Sequence, residues 1–188
     1  IVLYPLQGKR ETMSQPLRFG TYTEIQGPPG RSHAELIWDI VALAEHTDQN
    51  GFAVFCTLEH PFFEKFAINS NPLALFCTIA QRTRHLRFRT LCHTLPLHNP
   101  MILAGELTEA DILTNGRLDV GVGRGHAWLN EPANILLEEN QERYVEALDI
   151  LVKAWAEERL SYTGKYYKAK DLSVVPRPIQ KTPKTFQG

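Results

Sequence analysis

The sequence predicts an α/β fold with a parallel sheet, built from repeated strand–helix units. Three observations predict it. Residues 86–126 read as a strand, a helix and a second strand that leaves through Gly123-Arg124-Gly125-His126. Between those strands Leu103, Leu107, Ala110 and Leu113 recur at helical spacing. The same alternation of short apolar runs and helical patterns recurs along the chain, as parallel strands joined by crossover helices require. At 188 residues the chain is long enough for one domain with a real core.

Each element has a local reason. Residues 17–23 read as the first strand, and Gly27-Pro28-Pro29-Gly30 as a loop. Ser32 and Glu35 stand at capping-box spacing ahead of Leu36, Ile37, Ile40, Val41 and Ala44. That helix ends at Asn50-Gly51. Residues 52–57 are an unbroken apolar run, as a strand covered on both faces requires, and lead into Glu59-His60-Pro61. Asn71 caps a helix with Pro72 at its first position, continuing to Arg82. The central strand covers 86–93, with turn chemistry at Pro96 and Asn99-Pro100. The third helix covers 101–113 and is stopped by Asn115-Gly116; residues 117–122 form the fourth strand.

Beyond it the longest helix spans 138–158, where Tyr144, Leu148, Leu151 and Trp155 make one apolar stripe. Residues 161–167 predict a hairpin turning at Thr163-Gly164. Pro176 and Pro178 keep 174–178 extended, and 184–188 fall where a fifth strand would begin. Four β-α units, a hairpin and a truncated strand fit a barrel or an open sheet. No Gly-x-Gly-x-x-Gly follows the first strand, which weighs against a dinucleotide-binding open sheet. A full eight-unit barrel takes ~250 residues, so about half of one is expected here. Met13-Ser14-Gln15-Pro16 resembles a native start, which sets residues 1–12 apart as upstream sequence.

Twenty basic residues against 21 acidic ones leave a net charge of -1, which gives no electrostatic case for nucleic acid or an anionic membrane. No apolar run approaches the ~20 residues of a membrane span. Cys56, Cys77 and Cys92 are odd in number and lack metal spacing. They read as reduced thiols of a cytoplasmic protein, and no metal is expected.

Several residues carry chemistry by position. His60 follows an apolar strand, so it belongs at the carboxyl rim, either exchanging protons near neutral pH or hydrogen-bonded to a neighbour. Gly121, Gly123 and Gly125 alternate around Arg124, leaving room for a ring or phosphate tail, or simply making a tight turn. Arg87 and Arg89 on a buried strand require carboxylate partners. Trp128 with Phe62, Phe63 and Phe66 forms either an apolar substrate pocket or ordinary loop packing. A metal-dependent hydrolase using Glu59, His60, His93 and His98 would want two histidines close on one strand, and no His-x-His occurs.

In order and spacing, a longer set of residues resembles the bacterial luciferase-like flavin monooxygenases. It comprises Glu59-His60, Pro100, Ala104, Asp111, Asn115-Gly116-Arg117 and Gly121-Val122-Gly123-Arg124-Gly125. It continues through Glu142-Arg143-Tyr144, Gly164-Lys165-Tyr166-Tyr167 and Pro176-Arg177-Pro178. The resemblance implies an α/β fold of the (β/α)8 TIM barrel type, with residues 13–188 as its N-terminal part and an insertion hairpin after the fourth helix. It implies reduced FMN supplied by a separate flavin reductase, with a deazaflavin in some branches. The reaction implied is oxygenation of a small or medium organic substrate by dioxygen through a flavin hydroperoxide, in a homodimer.

The resemblance makes His60 the active-site histidine. It places Glu59, Leu91, Cys92, Gly123, Arg124, His126, Arg143 and Tyr144 at the cofactor, with Arg124 on the phosphate. Leu91-Cys92 falls where some relatives carry a non-proline cis peptide. Pro61 stands where many relatives have a second histidine, and Gly105 where many have glutamate; the former argues against luciferase-type aldehyde chemistry. Two alternatives stay open: a deazaflavin-dependent oxidoreductase of the same fold, and a non-catalytic flavin-binding subunit.

Overall fold

The structure is a computed structural model that describes residues 17–180 and 185–187. The expected upstream segment, residues 1–12, and the start at Met13 lie outside the described residues. In chain order the elements are β1 Gly20–Thr23, α1 His33–Gln49, β2 Val54–Thr57, α2 Pro72–Ala80, β3 Arg87–Thr90 and β4 His93–Thr94. A 3-10 turn, Leu95–Leu97, leads to α3 Pro100–Leu113, β5 Leu118–Gly123 and a short α4 Ala127–Asn130. Then follow α5 Asn140–Ala156, the strands β6 Leu160–Thr163 and β7 Lys168–Leu172, and β8 Thr185–Gln187.

The main sheet is parallel throughout, in the order β1-β2-β3-β5, with β8 beyond β5. β3 and β4 both pair with β5, at Phe88↔Leu118 and His93↔Val122. They are therefore one strand position, broken where Leu91-Cys92 is a cis peptide. The predicted continuous strand over 86–93 is corrected in that respect. The expected fifth strand is β8, in parallel register with β5.

The helix starts follow from their caps. The Ser32 hydroxyl accepts from the Glu35 N–H while Glu35 returns to the Ser32 N–H, closing the predicted capping box. Asn71 and Asn99 cap α2 and α3, each followed by a proline that lacks the orphan donor. Helices and sheet meet in an apolar core. Phe76 of α2 packs 6.5 Å from Phe55 of β2 and 5.3 Å from Phe88 of β3, ring centre to ring centre. Both arginines of β3 find the predicted partner: Asp119 of β5, 2% exposed, takes Arg87 at 2.7 Å and Arg89 at 3.1 Å.

Three motif residues tie elements together. Asp111 accepts the backbone N–H groups of Ile179 and Gln180 at 2.9 and 3.0 Å. Arg117 donates to the carbonyls of Ala80 and Leu86, and Arg177 to those of Ala154, Trp155 and Glu157 at the end of α5. The hairpin turns through residues 164–167 and not at Thr163-Gly164. There the Glu146 carboxylate of α5 accepts three successive N–H groups, from Lys165, Tyr166 and Tyr167, at 2.7, 3.1 and 3.2 Å.

Candidate active site

Parallel pairing sends every carboxyl end of the main sheet to the same side, where (β/α) folds place their chemistry. A cleft of about 390 Å³ opens there, inside the range of small-molecule sites. The end of β1 contributes Tyr22; the end of β2 contributes Leu58, Glu59 and His60. The break between β3 and β4 contributes Leu91, Cys92 and Thr94. The exit of β5 contributes Gly123, Arg124 and His126, and α4 closes one side with Trp128. His60, Cys92 and Arg124 therefore share one cleft.

His60 is 4% exposed, and neither ring nitrogen has a hydrogen-bond partner among the described residues. Its backbone is fixed by donation from its N–H to the Asn69 carbonyl at 2.7 Å. Its ring lies 4.7 Å from Phe66 and 5.2 Å from Trp128. Burial lowers its pKa, and the nearby His126 adds to that against a smaller pull from Glu24. Burial and His126 thus both favour the neutral form of the His60 imidazole.

Glu59 is bound elsewhere. Its carboxylate accepts from the Thr94 N–H at 2.8 Å and from His98 Nε2 at 2.7 Å, with His93 Nδ1 at 3.5 Å. Burial alone would raise its pKa; the nearby His93 and the hydrogen bond from His98 overcome it and hold the carboxyl at about 2. It lines the cleft, as expected, and forms no hydrogen bond to His60 among the described residues.

Gly123 packs closely against its neighbour across the sheet. An alanine methyl there would overlap the Cys92 sulfur. The room expected for a ligand at this glycine is therefore occupied by Cys92. Gly125 has φ +74°, a left-handed backbone that favours glycine. The Cys92 thiol is pushed up by burial and by the charge of Glu59, which makes a thiolate nucleophile unfavourable. Arg124 is exposed at the lip, with its side chain available to an anion.

Three expected site residues lie off the cleft wall. Arg143 pairs with Glu139 one turn back at 2.8 Å, and its guanidinium lies 4.3 Å from the Tyr166 ring centre. It serves α5 and the hairpin because those partners satisfy it locally. Tyr144 packs half-buried against the core, and that burial raises its pKa. Phe62 is 49% exposed and outside the cleft; Phe66 and Phe63 are the rings that meet Trp128, at 5.4 and 5.3 Å. Tyr22 and Thr94 were missed as site residues. The signal for Tyr22 was its place at the carboxyl end of the first strand; for Thr94 there was none without the break in the central strand.

Leu91 and Cys92, a buried imidazole with no hydrogen-bond partner among the described residues and a cation at the lip thus face one cleft. Fold and rim define the class, a (β/α)-barrel protein with its ligand cleft on the carboxyl side of the sheet. Residues 17–188 match the model of the luciferase-like monooxygenase family, and the chain belongs to that family. It is 34% identical over 182 residues to an F420-dependent glucose-6-phosphate dehydrogenase of Microbacterium testaceum, covering 91% of this chain and 51% of the relative. It is 25% identical over 169 residues to the oxygenase component of a flavin-dependent trigonelline monooxygenase of Acinetobacter baylyi, covering 87% and 46%.

In fold it matches the oxygenating constituent of 3,6-diketocamphane monooxygenase of Pseudomonas putida, a structure in complex with FMN. That match has a TM-score of 0.82 at 23% identity, over 92% of this chain and 51% of the other. The chain spans about half the length of the curated relatives it matches, and its sheet is part of a TIM barrel. The relatives include flavin-dependent monooxygenases and F420-dependent oxidoreductases. No helix among the described residues is long and apolar enough to cross a membrane.

Proposed function

We propose that the cleft binds reduced FMN and serves a monooxygenase acting on a small or medium, partly apolar organic substrate. The observation that carries this is His60: buried on the cleft wall edge-on to Trp128, with no hydrogen-bond partner among the described residues. When bound, reduced FMN supplies two electrons, with which dioxygen gives one oxygen atom to substrate and the other to water. Arg124 at the lip would hold the phosphate, and the backbone at Leu91-Cys92 would support the ring. His60 would hold and transfer the proton that the oxygen chemistry requires. Phe63, Phe66 and Trp128 would exclude water and form the apolar wall for substrate. Reduced flavin would arrive from a separate reductase in the cytoplasm, and the enzyme would act as a homodimer.

The Microbacterium relative favours a second reading, a deazaflavin-dependent oxidoreductase that transfers hydride in the same cleft. Fluorescence titration of the purified chain with FMN and with F420 separates them. Stopped-flow oxidation of reduced FMN then distinguishes a working site from mere binding. The monooxygenase reading expects FMN to bind and its oxidation to follow a phase absent from free flavin. Binding of F420 alone would favour the second reading; FMN binding with free-flavin kinetics would indicate a non-catalytic subunit.

A further inference from the structure

We propose that Glu59 is a positioning residue that, with His98, locks the backbone on both sides of His93 and so sets the part of the cleft wall made by Cys92 and Thr94. The inference rests on reading the cleft as a flavin site. Glu59 stands at the end of β2. Its own N–H donates to the Cys92 carbonyl at 3.3 Å, and its carboxylate accepts from the Thr94 N–H at 2.8 Å. One residue thus grips the chain from the β3–β4 joint at Cys92 to Thr94 of β4, and both of those residues line the cleft. Glu59 is 5% exposed, so these bonds face little competition from water.

His98 completes the clasp from the turn before α3, donating Nε2–H to the other carboxylate oxygen at 2.7 Å. The neighbouring charged and titratable groups come from three elements. His93 of β4 lies edge-on to His98 with ring centres 5.6 Å apart. Glu106 of α3 adds negative charge near His98, and Cys92 lies close to Glu59. Burial alone would lower the pKa of His98, but the bond and charge of Glu59, aided by Glu106, raise it. The imidazolium therefore persists towards neutral pH, and the clasp weakens as pH rises through the His98 pKa of the folded chain.

Glu59, His93 and His98 also hold ligand atoms within 4.8 Å of one another, a set that invites comparison with zinc sites. Both carboxylate oxygens already accept N–H groups, however, at 2.7 and 2.8 Å. The 2.7 Å separation is that of a hydrogen bond, shorter than the ~3.3 Å between two donors on one tetrahedral zinc. A hydrogen bond between Glu59 and His98, with His93 packed beside it, is the better account of the trio.

The test compares wild type with Glu59→Gln, His98→Leu and His98→Gln in FMN titrations across pH, with hydrogen exchange at the Thr94 amide followed by NMR. Glu59→Gln and His98→Leu are expected to weaken FMN about tenfold and to speed Thr94 exchange at unchanged circular dichroism. His98→Gln keeps a donor to Glu59, so it should recover most of what His98→Leu loses. It should also abolish the weakening of binding at alkaline pH, because glutamine does not titrate. FMN affinity unchanged in Glu59→Gln and His98→Leu, or an unaltered pH profile in His98→Gln, overturns the proposal while leaving the flavin site standing. Failure of the wild-type chain to bind FMN overturns the flavin reading, and this inference with it.

Discussion

Replacing Gly123 with alanine tests the packing of the cleft floor. The backbone at this position lies outside the left-handed region, so alanine meets no conformational penalty there. The effect is therefore steric. The added methyl would overlap the Cys92 sulfur but would lie 3.6 Å from Cys92 Cβ, an ordinary contact. Overpacking of this kind costs about 1–3 kcal/mol. Cys92→Ala removes only the sulfur and should cost about 1 kcal/mol. In the double variant the obstacle is gone, and the new methyl fills part of the space the sulfur leaves. The two changes should then couple favourably by about 1–2 kcal/mol. Urea denaturation of the four proteins measures this as a double-mutant cycle. Additivity within about 0.5 kcal/mol would refute the packing of Cys92 against Gly123.

Arg124→Ala should weaken FMN about tenfold and leave riboflavin, which lacks the phosphate, nearly unaffected. Equal losses in parallel titrations would remove the phosphate role. His60→Ala should slow substrate oxygenation by about a hundredfold or more while flavin stays bound; single-turnover product formation reads this, and an unchanged rate would take His60 out of the mechanism. The carboxyl of Glu59, held at about 2 against an ordinary value near 4.5, stabilises the fold above its unfolded value. That stability is lost as pH falls towards about 2. Glu59→Gln should flatten the acid limb of a melting-temperature profile, and parallel profiles would contradict the linkage.

The alternation of strands and helices was legible because it rests on local chemistry, such as the Ser32–Glu35 box and the Asn71-Pro72 and Asn99-Pro100 starts. Residues 17–19 were read as strand from composition, yet β1 begins only at Gly20, after Leu17 and Phe19, which are 80% and 67% exposed. The cleft was legible where strand ends fixed it, at His60, Cys92 and Arg124. It was not legible on loops, where side chains follow no period: Phe66 turns inward and Phe62 outward. Arg143 illustrates a local competitor, since Glu139 four residues earlier satisfies it before any ligand can. The Glu59–His98 contact joins residues 39 apart, which no spacing rule anticipates. Asp111, Arg117 and Arg177, which contributed to the resemblance, act in the described structure as braces between elements.

The hairpin of β6 and β7 shows how the fold accommodates change. Its polar tethers to α5 run along that helix: Glu142 to Lys165 and Tyr166, Arg143 over Tyr166, Glu146 to the turn, and Lys153 over Tyr162. Hairpin and helix consequently travel as one body, like a handle fixed to a lever. Because β6 and β7 form a sheet of their own, a break in these tethers would free the hairpin from α5 without touching the strands that line the cleft.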